Sequence, residues 1–159
     1  MTEEARKVQR TYLLLTLLST LSASFIWGIN TLFLLDAGLS NTEAFAANAF
    51  FTLGQVIFEV PTGVIADTWG RRASYLLGAG TLLVSTLLYL LMWQVEAGFV
   101  GWAISSAVIG LGFTFFSGAV EAWLVDALHF CGYDKDLESV FAKGQTIGGV
   151  AMLTGSVAG

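Results

Sequence analysis

Long apolar segments alternate with short charged segments along the whole chain. The first apolar segment, residues 11–35, contains no charged side chain. As a helix it is long enough to cross a bilayer core of roughly 30 Å. Further segments of this kind predict membrane-spanning helices at about residues 11–35, 44–66, 73–93, 97–128 and 140–159. The pattern therefore predicts an all-α fold, a polytopic transmembrane helix bundle formed as one domain over residues 1–159.

Local signals mark where these helices begin and end. Gly38 follows the first apolar segment and suits a C-terminal cap. Ser40 and Glu43 have the spacing of a capping box that opens the second helix. The fifth segment is still apolar at Gly159, so we expect this helix to be truncated and the bundle to be incomplete.

The composition places the chain in a membrane and excludes several other classes. Charged residues make up 12% of the sequence, about half the share of roughly 25% that is usual in soluble domains. Cys131 is the single cysteine and His129 the single histidine, so we predict no disulfide, no metal site and no cofactor. The seven basic residues form no extended patch, which argues against nucleic acid as a partner. The lipid bilayer is therefore the first predicted partner.

The basic residues also predict the orientation. Three precede the first helix, two follow the second and two follow the fourth: Arg6, Lys7, Arg10, Arg71, Arg72, Lys135 and Lys143. The other two loops contain no basic residue. By the positive-inside rule, the N-terminus and the loops at residues 67–72 and 130–143 face the cytoplasm. The expected location is the plasma membrane or a bacterial inner membrane.

Polar residues, with one glycine among them, recur at helical spacing within three of the apolar segments. They are Ser19, Ser22 and Asn30 in the first, Asn48, Thr52, Gln55, Glu59 and Thr62 in the second, and Gly110, Thr114, Ser117 and Glu121 in the fourth. Because a polar stripe facing lipid loses its hydration, these stripes predict a cavity edged by helices 1, 2 and 4, with helix 3 outside. For any single amide or hydroxyl, hydrogen bonding between packed helices is the alternative.

Two carboxylates within the predicted spans are candidates for proton coupling. A carboxylate inside a membrane helix is energetically expensive, so Glu59 and Glu121 are functional hypotheses. We expect at least one of them to exchange a proton during transport. The alternative is static: Glu59 would bond backbone groups freed by Pro61, and Glu121 would bond Ser117 or a neighbouring helix. For either glutamate, an ion pair with Arg71 or Arg72, or extension of the carboxylate to the nearby cytoplasmic surface, is also open.

The loop between the second and third helices has the most specific spacing in the chain. It reads Gly63-x-x-x-Asp67-x-x-Gly70-Arg71-Arg72, with Gly70 placed to adopt the positive φ that a tight reversal needs. This pattern resembles the loop motif between helices 2 and 3 of the major facilitator superfamily of transporters. Residues 58–62 and 117–126 also resemble one branch of that superfamily. Thr68 departs from the pattern, because a basic residue is frequent there in the family.

The resemblance implies a fold, a function and a set of site residues. It implies the N-terminal half of a two-half transporter, incomplete here, with a small-molecule substrate, protons and the C-terminal half of the same protein as partners. Such a protein is a secondary active transporter that works by alternating access. The loop residues Gly63, Asp67, Gly70, Arg71 and Arg72 would form a cytoplasmic gating motif, and Asp126 would pair with Arg71. Efflux of drugs or metabolites and uptake of nutrients both stay open.

Two other classes of function compete with transport. An integral-membrane enzyme would use Glu121, Asp126 and His129 at the cytoplasmic rim, but these residues lie in one short segment without an oxyanion motif. A helical assembly module would need no chemistry at all. We therefore predict a transporter with no catalytic residues, and neither alternative is favoured by a motif.

Overall fold

A computed structural model describes residues 2–116, 119–133 and 137–158. In these ranges the chain forms seven α-helices and no strand, which confirms the all-α prediction. The helices are α1 (Glu3–Trp27), α2 (Asn30–Asp36), α3 (Asn41–Trp69), α4 (Arg71–Gln94), α5 (Phe99–Phe116), α6 (Ala119–Phe130) and α7 (Leu137–Ala158).

The first predicted helix differs from the structure at its start and in the middle. It begins at Glu3 rather than at residue 11, because the Thr2 hydroxyl accepts a hydrogen bond from the Ala5 N–H at 3.2 Å and caps the helix. It is then interrupted at Gly28 and Ile29, which separate α1 from α2. The Ile29 N–H donates to the carbonyl of Ile26, three residues earlier, at 3.2 Å. Such a bond closes a tighter turn than the four-residue spacing of an α-helix.

The start of α3 agrees with its sequence signal. The Ser40 hydroxyl accepts from the Glu43 N–H at 3.4 Å, and the Glu43 carboxylate accepts from the Ser40 N–H at 2.9 Å. This is the capping box expected from the sequence. Gly38 has a φ of +93°, so the reversal between α2 and α3 uses the left-handed region that favours glycine.

Within the described ranges, four helical stretches are long and apolar enough to cross a membrane, judged by length and composition. They are Glu3–Asp36, Asn41–Trp69, Arg71–Gln94 and Phe99–Phe130. The fifth predicted span corresponds to α7, which is not among these four. Its role as a span remains a prediction.

The chain divides into two compact units. One contains Met1–Asn30 and Ala122–Gly159, and the other contains Thr31–Glu121. We call them the terminal unit and the central unit. In the central unit α3 and α4 both pack along α5, and they touch each other over a smaller area. Its buried core lies around Leu34, Leu39, Ala44, Ala47, Tyr89 and Trp102. In the terminal unit α1 packs along α7.

Small residues bring the helices of the central unit into close contact. A Cβ atom added to Gly54 of α3 would lie 2.5 Å from the Ala107 carbonyl oxygen of α5. Between α4 and α5, the Ser74 hydroxyl donates to the Phe115 carbonyl at 2.9 Å. Such backbone approach and interhelical hydrogen bonding are the usual packing devices of membrane helices, where no hydrophobic force drives association.

Candidate functional site

The reversal between α3 and α4 rests on a single residue. α3 ends at Trp69 and α4 begins at Arg71, so only Gly70 lies between them. Gly70 has a φ of +91° and a ψ of 156°. A side chain would be strained at this φ, so the structure confirms that glycine is required for the turn.

Arg71 binds Asp67 across this reversal. The Arg71 Nη1 atom lies 2.8 Å from the Asp67 Oδ1 atom, and the two side chains are 32% and 68% exposed. Ion pairs with this degree of exposure contribute about 0.2–1 kcal/mol to stability in water. The pair is therefore weak enough for either residue to change partners. Pairing of Arg71 with Asp126 remains a prediction, and Arg72 is exposed.

Gly63 lies on an open face of α3. A Cβ atom added there would meet no atom within 4 Å. The exposed residues at helical spacing around it form what we call the α3 strip: Val56, Glu59, Val60, Gly63 and Asp67. Val60 is 75% exposed. The strip therefore places an apolar surface between two carboxylates, one turn on either side of Gly63.

The polar stripe predicted on the second helix divides between different environments. Asn48 is half-buried and its amide Nδ2 donates to the Thr31 hydroxyl of α2 at 3.3 Å, which supports the helix-packing alternative for this residue. Thr62 is 2% exposed and its hydroxyl donates to the Phe58 carbonyl at 2.8 Å. Glu59, by contrast, is exposed. Burial therefore changes between neighbouring members of the stripe, from the exposed Glu59 to the buried Thr62.

The other predicted cavity residues occupy several elements. Asn30 is half-buried at the first position of α2, Gln55 is half-buried in the middle of α3, and Glu121 is exposed in the first turn of α6. Ser117 lies outside the described residues. Gly110 is buried against the α3 backbone, because a Cβ atom added there would lie 3.0 Å from the Gln55 nitrogen. This part of the fourth helix packs against α3, and the proton-coupling role of Glu59 and Glu121 stays a prediction.

The candidate enzyme residues give no assembled site. Glu121, Asp126 and His129 are all exposed on α6. Among the described residues, no three His, Cys, Asp or Glu side chains lie close enough together to hold a metal ion. No observation thus favours the enzyme hypothesis over transport.

The fifth helix begins slightly earlier than its sequence signal. It was predicted over residues 140–159, but α7 begins at Leu137, so Lys143, which also ended the predicted loop at residues 130–143, lies inside the helix. The helix starts earlier because Glu138, in its first turn, favours a helix N-terminus electrostatically. Lys143 lines a cleft beside α1, and only the packing of α1 on α7 reveals that cleft.

Comparison with known proteins supports the interpretation of these helices. The family model described as Major Facilitator Superfamily matches residues 12–159, which is nearly the whole chain. No curated protein and no solved structure matches the chain at a significant level. The family consists of membrane transporters, and the match agrees with the four apolar helices long enough to span a bilayer. The chain is thus an integral membrane protein that belongs to the Major Facilitator Superfamily of transporters.

Proposed function

We propose that the chain belongs to a secondary active transporter of small molecules that works by alternating access and is coupled to protons. In such proteins two halves rock against each other about a site near the middle of the bilayer. The proposed partners are the substrate, protons and a C-terminal half of the same protein. The observation that carries the proposal is the α3 strip, an open apolar face with a bare glycine between Glu59 and Asp67.

The strip is suited to close approach by a helix of the other half. Gly63 presents no side chain, so a facing helix can come near the α3 backbone there. Asp67 lies one turn further on, where it can bind the N-terminus of that helix. Such a contact contributes about 0.3–1 kcal/mol, which is similar to its exposed pair with Arg71. We propose that closing and opening exchange these partners, with Asp126 accepting Arg71 in one state.

The proton step is assigned to Glu59 and Glu121. When a cavity closes, a carboxylate inside it loses water and its neutral form is favoured, and when the cavity opens, hydration favours release of the proton. A proton can therefore bias the equilibrium between two states that differ by only a few kcal/mol. Export of drugs or metabolites is the direction to test first.

Replacing Gly63 by leucine tests the close approach. In the complete protein reconstituted into liposomes, Gly63→Leu should abolish most substrate flux because the added side chain keeps the halves apart. Gly80→Leu is the matched control: Gly80 lies on α4, and a Cβ atom added there also meets nothing within 4 Å. Its flux should match that of the native protein. Native-like flux in Gly63→Leu would contradict the proposal.

Glutamine variants test the proton step. Glu59→Gln and Glu121→Gln retain the size of the side chain but cannot titrate, so at least one should lose accumulation driven by a pH gradient while keeping exchange of substrate. Glu138→Gln, an exposed position in the first turn of α7, serves as the control. If both variants accumulate substrate with an unchanged pH profile, these carboxylates have a structural role only.

Labelling of Cys131 tests the proposed orientation. Cys131 is half-buried just after α6, on the side that the basic residues place in the cytoplasm. In intact cells producing a variant with Cys131 as the sole cysteine, a membrane-impermeant maleimide should label it only after permeabilisation. Labelling of intact cells would reverse the orientation.

A further inference from the structure

We draw no further inference here: the strongest candidate, the group of exposed polar residues on α1 and α7 of the terminal unit (Ser19, Ser22 and Gln145), lies on open helix faces, and nothing in the structure shows what covers them.

Discussion

Replacing Gly54 by alanine should push α3 away from α5 and destabilise the central unit. An added Cβ atom would lie 2.5 Å from the Ala107 carbonyl oxygen and 3.0 Å from the Ala107 Cα atom. Ordinary contact begins at 3.4 Å, so relief requires a local separation of 3.4 − 2.5 = 0.9 Å. The opposing atoms belong to the backbone and cannot rotate aside, so the helices themselves must move.

The expected magnitude follows from two opposing effects. Overpacking of this kind costs about 1–3 kcal/mol. Alanine is better than glycine in a helix by about 0.8–1 kcal/mol, so the net loss of stability should be about 0–2 kcal/mol. Gly80→Ala separates the two effects, because Gly80 also lies within a helix but an added Cβ atom meets nothing within 4 Å. The difference between the two variants should equal the overpacking alone, about 1–3 kcal/mol.

Thermal unfolding of the complete protein in one detergent measures this difference. The fraction that remains monodisperse after heating, followed by size-exclusion chromatography, gives the midpoint for each variant. Gly80→Ala should unfold at or above the native midpoint, and Gly54→Ala clearly below Gly80→Ala. If the two variants share one midpoint, α3 and α5 tolerate the added methyl group, and glycine does not set their spacing.

Three other predictions concern contacts within single units. Tyr89→Phe removes the 2.8 Å hydrogen bond between the buried Tyr89 and Ser106 hydroxyls, so unfolding should become easier by about 0.6–1.7 kcal/mol; a thermal midpoint equal to that of the native protein would contradict this. Ser40→Ala removes the cap of α3 and should speed amide exchange in its first turn, with a loss of about 1 kcal/mol; unchanged exchange there would count against it. Gly155→Ala adds a methyl group against Ser24 and the α1 backbone and should lower the midpoint, whereas Gly149→Ala, where an added Cβ atom meets nothing within 4 Å, should not.

Much of the candidate site was predictable because its signals are local. The α3–α4 reversal at Gly70 and the positive φ of that residue follow from the loop pattern, and the Ser40 cap follows from the spacing to Glu43. The chosen partner of Arg71 was not predictable in this way. The sequence offers both Asp67 and Asp126 as partners for Arg71. The structure contains the ion pair with Asp67, which lies four residues before Arg71.

The sequence by itself determined that this chain forms apolar helices in a membrane. Apolar segments of this length favour helices, because a helix pairs every N–H and C=O within its own segment. Only the tertiary structure decided which faces of those helices are buried. Thr62 is buried while Glu59, three residues earlier, is exposed, and Lys143 lines an open depression beside Leu13 because α7 packs along α1. In a bilayer both faces of a helix meet apolar surroundings, so hydrophobicity cannot distinguish lipid contact from helix contact, and close packing of the side chains determines the difference.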